Sequence, residues 1–182
     1  MGRLEGMAVL DGMRAVKKFR PTFGLKGSNP MAVGYGYSGG AIASGWAAAL
    51  QPTYAPELNV KGWVAGGLPT NLSAVVDFID NTAFSGFLPA VIAGLAKDSA
   101  YGAQLNLVFD RIITPRGREV IDFADSHCAV RDIFNFPDMS VLSTDVQSLG
   151  DQLLYEPTVA KVLSDTVLGV NATEVLRAPV LV

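Results

Sequence analysis

The sequence predicts an α/β fold in which a small parallel sheet carries a large helical insertion. Two short apolar segments, 31–37 and 60–66, flank an alanine-rich segment of helical composition, 40–50. This strand, helix, strand order is typical of a parallel pair joined by a crossover helix. From residue 72 to about residue 170, helical patterns follow one another with almost no strand between them. Because a crossover needs only about a dozen residues, this stretch indicates a lid or cap.

The individual elements follow from local composition in chain order. Residues 4–18 predict a helix, and residues 21–30, which begin and end with proline, predict a loop. The alanine-rich helix is expected to end at Gln51-Pro52, since proline disrupts a helix interior. A short strand is predicted at 178–182. The insertion contains six predicted helices, at 72–80, 86–97, 99–112, 117–126, 138–149 and 158–168.

These elements divide the chain into three segments. Residues 1–71 form the core with the first two strands, 72–170 form the helical lid, and 171–182 return to the core. The last strand runs to the final residue, Val182, so we expect the chain to be an internal piece of a longer protein.

The composition excludes several classes of function. A net charge of −3 argues against a nucleic-acid partner. Although 49% of the residues are hydrophobic, no run reaches the roughly 18 apolar residues that a transmembrane segment needs. The sequence contains neither a phosphate-binding loop, nor a dinucleotide fingerprint, nor paired metal ligands. We therefore expect neither a cofactor nor a metal.

The strongest functional signal is Gly36-Tyr37-Ser38-Gly39-Gly40, between the first strand and the helix. A G-x-S-x-G sequence in this context is typical of a nucleophile elbow. A serine hydroxyl is a poor nucleophile, so it must stand on a sharp turn that a base and an oxyanion hole can both reach. Gly36 and Gly40 are expected to leave room for that turn. The Gly39 N–H is the expected first oxyanion donor.

With the elbow and the helical insertion together, the sequence resembles the fungal and bacterial secretory lipases typified by the lipase A type of Candida antarctica. Four stretches at family-like spacing carry the resemblance: LEGMAVLDGMRA (4–15), GYSGGAIA (36–43), YAPEL (54–58) and GGLPTNL (66–72). The resemblance implies an extracellular α/β-hydrolase with a helical lid. It also implies hydrolysis of acylglycerols or other lipid esters by a serine, acid, histidine triad, with transient contact at a lipid interface.

The resemblance assigns Ser38 as the nucleophile and Gly39 as one oxyanion donor. It places the second donor before this chain, and the acid and histidine after the strand Ala-Pro-Val-Leu-Val at 178–182. The chain, which has only a partial α/β-hydrolase sheet, is then expected to be inactive by itself. The resemblance also implies a disulfide from Cys128, the only cysteine of the chain, to a cysteine upstream of Met1.

Two alternatives stay open at this point. In the first, an esterase triad is completed internally by Ser38, Asp110 and His127, which occur in the α/β-hydrolase order. Residues 99–112 fit a helix about as well as a strand, however, and His127 is also well explained as a polar residue of the lid. In the second, the chain is a non-catalytic, lipid-binding remnant.

Two further features of the insertion and its flanks bear on function. The sequons Asn71-Leu72-Ser73 and Asn171-Ala172-Thr173 are compatible with secretion. Apolar residues of the insertion either line an acyl channel or pack the lid helices together: Phe78, Phe84, Phe87, Leu88, Val91, Ile92 and Leu95.

Overall fold

The computed structural model describes residues 2–182, which form two compact units. One unit comprises the residues up to Thr70 together with 166–182, and the other comprises residues 71–165. Met1, with which the first predicted segment begins, lies outside the described residues. The chain returns to the first unit at Thr166, earlier than the predicted residue 171.

The first unit is a three-stranded parallel sheet with two long helices. Its elements are α1 (Gly2–Lys18), β1 (Met31–Tyr37), α2 (Gly39–Tyr54), β2 (Asn59–Gly66) and β3 (Val180–Leu181). The strand order is β1-β2-β3, and both pairings are parallel. The predicted α/β class is confirmed, and β1 has the predicted bounds.

The two faces of the sheet differ in burial. On one face, Trp63 and Ala65 of β2 are buried, and Trp63 joins the core formed with α1 and α2. On the other face, Val33, Tyr35 and Tyr37 of β1 are exposed. The alternation follows from the two-residue period of a strand, so a single sheet surface contributes to the core of this unit.

Helix α2 continues past the position at which proline was expected to end it. Pro52 lies inside the helix, and the helix ends only at Tyr54. The proline is in the last turn, where the loss of one N–H removes little of the helix. The buried Gln51 side chain supports this end by donating to the carbonyl oxygens of Ala55 at 3.0 Å and Leu58 at 3.4 Å.

The second unit is helical. It contains α3 (Leu72–Ile79), α4 (Phe87–Leu95), α5 (Gly102–Ile112), α6 (Pro115–Ser126), α7 (Ala129–Asn135), a 3-10 helix (Gly150–Tyr155) and α8 (Pro157–Asp165). Its main core joins α5, α8 and the 3-10 helix around apolar residues: Leu105, Val108, Phe109, Ile112, Leu153, Val159, Val162 and Leu163.

The predicted helix at 138–149 is wrong, and α7 was not predicted. Residues 138–149 form turns in which side chains bond the main chain. The Asp80 carboxylate accepts from the Val141 N–H at 2.7 Å, and the Thr114 hydroxyl donates to the Asp145 carbonyl at 2.5 Å. The buried Gln147 amide donates to the carbonyl oxygens of Val141 and Gly150. The bonds to Asp80 and Thr114, which are distant in sequence, and the local bonds of Gln147 take the place of helical hydrogen bonds.

Candidate active site

Ser38 lies between the end of β1 and the start of α2, at the carboxyl edge of the parallel sheet. Its backbone has φ 53° and ψ −116°. A positive φ is uncommon for a residue with a side chain, and holding one in a sparsely populated conformation costs about 1–3 kcal/mol. The surrounding structure must therefore hold this serine in place.

Main-chain hydrogen bonds on both sides hold that conformation. The Ser38 N–H donates to the Gly66 carbonyl oxygen of β2 at 2.9 Å, which extends the parallel ladder by one bond. The Ser38 carbonyl oxygen accepts from the N–H groups of Ala41 at 2.9 Å and Ile42 at 3.1 Å, in the first turn of α2. The strand and the helix thus fix the turn from its two ends.

The Ser38 hydroxyl does not cap the helix. Serine is among the preferred N-cap residues, because its oxygen usually accepts from an N–H of the first turn. Ser38 is at the N-cap position of α2 but makes no such side-chain bond. The residue is also exposed. Its oxygen therefore remains available to an incoming group.

Gly39 follows as the first residue of α2 and is exposed. The N–H groups of a first turn have no acceptor inside their own helix, and the helix dipole gives this end partial positive charge. The first turn of α2 contains no acidic side chain. An oxyanion developing beside Ser38 would therefore meet a donor and a favourable potential.

The two flanking glycines have different roles. A Cβ added at Gly36 would overlap the carbonyl group of Gly40 and approach the Ser44 Oγ to 2.7 Å. A Cβ added at Gly40 would meet no atom within 4 Å. The turn therefore requires a glycine at position 36, where any Cβ would overlap the main chain of Gly40. At position 40 there is room for a Cβ.

The Gly66-Gly67 pair at the end of β2 also shapes this edge, and its role was missed in the sequence. Gly66 supplies the carbonyl that holds Ser38, and Gly67 has φ 58°. The ring of Tyr37 lies close to both glycines. A Cβ added at Gly66 would be 3.0 Å from a ring carbon of Tyr37, and one added at Gly67 would be 3.4 Å from another. The signal was present as a glycine pair at a strand end.

The structure does not bring Asp110 and His127 together. Asp110 lies in α5, not at a strand end, and its carboxylate accepts from Arg118 at 3.2 Å. The His127 ring stacks on Phe123 at 4.0 Å, and its Nδ1 lies 2.8 Å from the Phe123 carbonyl oxygen and 3.0 Å from the Ser126 hydroxyl. Among the described residues, no hydrogen bond joins the carboxylate to the ring.

The helical unit contains an apolar cavity of about 80 Å³. Its walls include four of the apolar residues considered for an acyl channel: Leu88, Val91, Ile92 and Leu95. The three phenylalanines of that set, Phe78, Phe84 and Phe87, are exposed instead. The cavity is smaller than the ~150 Å³ that accommodates benzene in an engineered core, so a long acyl chain does not fit it as it stands.

Within residues 2–182, no group of three or more histidine, cysteine, aspartate or glutamate side chains could hold a metal ion. None of the helices in this range is long and apolar enough to cross a membrane. Cys128 is exposed, with a free thiol, at the N-cap of α7.

A family model described as secretory lipase matches residues 1–182. The chain belongs to the secretory lipase family. This secretory lipase chain is 45% identical over 180 residues to the secreted triacylglycerol lipase LIP5 of Malassezia furfur, covering 98% of this chain and 46% of that protein. It is 39% identical over 180 residues to the secreted triacylglycerol lipase LIP4 of Malassezia globosa, covering 99% of this chain and 38% of that protein.

The fold comparison agrees with the family. The X-ray structure of Candida antarctica lipase A in its closed state matches with a TM-score of 0.82 and 28% identity, covering 99% of this chain and 41% of that one. The predicted α/β-hydrolase relationship is therefore confirmed. The secretory lipase chain spans less than half the length of these curated relatives.

Proposed function

We propose that this chain provides the nucleophile elbow and the helical lid of an extracellular lipase that hydrolyses acylglycerols or other lipid esters. The observation that carries the proposal is the backbone of Ser38, with φ 53° at the N-terminus of α2 and a hydroxyl that caps nothing. The relatives named as secreted triacylglycerol lipases support the substrate class and the extracellular location.

The proposed chemistry is acyl transfer from an ester to water. The Ser38 Oγ attacks the ester carbonyl while a histidine base takes its proton, and the Gly39 N–H donates to the tetrahedral oxyanion. The oxyanion collapses to an acyl-serine as the base returns the proton to the leaving alcohol. Water then attacks the acyl-serine by the same route, which releases the acid and restores the hydroxyl.

His127 is not the proposed base. Its ring is held against Phe123, and its Nδ1 is engaged with a main-chain carbonyl and the Ser126 hydroxyl. A general base must come within hydrogen-bond reach of the proton that it takes and needs a partner that orients it. We therefore propose that residues 1–182 alone hydrolyse esters far more slowly than a complete lipase.

A chimera tests the nucleophile directly. Residues of this chain replace the matching 180-residue segment of Malassezia furfur LIP5, to which they are 45% identical. We expect Ser38→Ala to lower the kcat of the chimera for p-nitrophenyl esters by about 10⁴-fold or more, because the triad acts as a unit. The matched control is Ser28→Ala, at an exposed serine before β1, which should leave kcat unchanged.

The same chimera tests the histidine. We expect His127→Ala to keep kcat within about tenfold of the parent, because a residue outside the proton shuttle does not change the chemical step. A loss equal to that of Ser38→Ala would instead support the internal triad. If Ser38→Ala retained most of the activity, Ser38 would not be the nucleophile.

The second candidate, a non-catalytic lipid-binding remnant, has weaker support. It would depend on the apolar cavity, whose volume of about 80 Å³ does not accommodate an acyl chain without movement of the helices around it. It also leaves the conformation of Ser38 without a purpose, since a glycine would adopt a positive φ at no steric cost.

A further inference from the structure

The two sequons of the chain have different structural settings. Asn171 and Thr173 are exposed, whereas Asn71 and Ser73 are half-buried. The Asn71 side-chain oxygen caps α3 by accepting from the Ser73 N–H at 2.9 Å and, at 3.5 Å, from the Ala74 N–H. Asn71 therefore already has a role in holding a helix end.

The Asn171 sequon forms a hydrogen-bonded turn. The Asn171 Oδ1 accepts from both the N–H of Thr173 at 3.0 Å and its hydroxyl at 2.8 Å. Among the described residues, the Asn171 Nδ2 donates to no acceptor. The threonine of the sequon thus contacts the side-chain amide, and the amide nitrogen is left facing solvent.

Glu174 fixes the far end of this turn. Its N–H donates to the Asn171 carbonyl oxygen at 2.9 Å, and its carboxylate accepts from the Gly169 N–H at 3.0 Å. That carboxylate is almost fully buried and forms an ion pair with Arg3, whose guanidinium lies 4.6 Å from the centre of the Trp46 ring. The turn is therefore anchored to α1 and to the core of its unit while the Asn171 amide projects outward.

Three exposed apolar side chains flank the turn: Val170, Val175 and Leu176. A bulky, solubilising oligosaccharide on Asn171 would lie beside these side chains.

From these observations, we propose that Asn171, and not Asn71, carries an N-linked glycan in the secreted protein. The proposal depends on secretion but not on the esterase chemistry. The Asn171 Nδ2 forms a bond to the anomeric carbon of an N-acetylglucosamine, on an oligosaccharide that is supplied as its lipid pyrophosphate. The bond between that carbon and the pyrophosphate oxygen breaks, the lipid pyrophosphate leaves with the electron pair, and Nδ2 releases one proton.

The test expresses the full 182-residue chain in yeast, behind a secretion leader and with a sequon-free C-terminal tag. Glycosylation is measured on the protein within the intracellular secretory pathway, so that variants that are not exported are also compared. We expect one endoglycosidase H-sensitive band shift in the parent chain and in Asn71→Gln. The shift should disappear in Asn171→Gln and Thr173→Ala, and it should persist in the matched control Thr173→Ser.

Peptide mapping assigns the occupied residue. Release of the glycan in ¹⁸O-labelled water should convert Asn171, and not Asn71, to labelled aspartate. Glycan release from the undenatured secreted protein should also succeed, because Asn171 is exposed. An unmodified chain, or label at Asn71 alone or at both asparagines, would overturn the proposal. Ester hydrolysis is not measured, so the outcome is independent of the proposed function.

Discussion

Among single residues, Ser38 combines a positive φ with an exposed hydroxyl that caps no helix. A glycine there would adopt φ 53° without strain, yet the chain has a serine that the last ladder bond of β1 and the first turn of α2 must hold. Strain that persists in a folded protein is concentrated at functional sites. The sequence could predict where this serine lies, because the G-x-S-x-G motif marks the turn, but it could not show its backbone angles or its free hydroxyl.

The two elbow glycines give a matched pair of predictions. Gly36→Ala should lower the free energy of unfolding of the first unit by about 1–3 kcal/mol, because the new methyl group overlaps the Gly40 carbonyl group. Gly40→Ala should leave that free energy unchanged or raise it by up to about 1 kcal/mol, because its Cβ meets open space and alanine favours helix.

Urea unfolding followed by tryptophan fluorescence measures this difference. The only two tryptophans of the chain, Trp46 and Trp63, are both buried in the core of the first unit. Equal effects of the two substitutions would contradict the close approach at Gly36.

A buried carboxyl group in the helical unit leads to a pH prediction. Asp132 of α7 is fully buried, and neither of its carboxyl oxygens has a hydrogen-bond partner among the described residues. Burial raises the pKa of Asp132 above its ordinary value, and the nearby His127 opposes this rise. The folded state therefore keeps this proton to a higher pH than the unfolded chain does.

The sign of the effect follows from linkage. The contribution of Asp132 to stability is fully present below the pKa of the unfolded group, about 4, and it is lost as pH rises through the higher pKa of the folded state. In Asp132→Asn this pH-dependent loss is absent. Thermal unfolding at a series of pH values from about 3.5 upward should therefore show the variant gaining on the parent chain as pH rises. Parallel curves for the two proteins would contradict an unpartnered, buried Asp132.

At the scale of secondary-structure elements, the start of α6 depends on one side chain. The Thr114 hydroxyl oxygen accepts from the Gly117 N–H at 3.0 Å and caps the helix, with Pro115 as its first residue. The same hydroxyl lies within hydrogen-bond distance of the Asp145 and Val146 carbonyl oxygens. It therefore joins the helix start to the loop that the sequence wrongly predicted as a helix.

Removing that hydroxyl tests the contact. Thr114→Ala should lower the free energy of unfolding by about 1–2 kcal/mol, since it removes both the cap and the link to the loop. Thr114→Ser keeps the oxygen and should retain most of that free energy. Urea unfolding followed by far-UV circular dichroism measures both values. A Thr114→Ala variant as stable as Thr114→Ser would show that the cap is dispensable.

The elements differ in how far the sequence could predict them. β1 and α2 follow from local signals, because an apolar run, a glycine turn and an alanine-rich segment are consecutive. The segment 138–149 has apolar residues at helical spacing but forms turns, because its main chain bonds to the side chains of Asp80 and Thr114. Partners distant in sequence leave no local pattern, so this outcome could not be inferred from composition.

At the scale of the whole molecule, family and fold agree with the motif. The secretory lipase model matches 1–182, and the X-ray structure of Candida antarctica lipase A matches 99% of this chain with a TM-score of 0.82. The exposed side chains of Val33, Tyr35 and Tyr37 leave one face of the parallel sheet uncovered. Parallel sheets are normally covered on both faces. The side chains of this face are therefore unusually accessible for a parallel sheet.

We propose that Ser38 is a lipase nucleophile whose base is not His127. Labelling with a serine-directed phosphonate, followed by peptide mapping, tests this role of Ser38. In the LIP5 chimera, the adduct should form stoichiometrically on Ser38 and abolish ester hydrolysis. In the 182-residue chain alone, labelling should be slower by roughly 10³-fold or more, because the histidine base that we propose lies outside residues 1–182. An adduct on another serine of the chimera, or equally fast labelling of the chain alone, would contradict this role of Ser38.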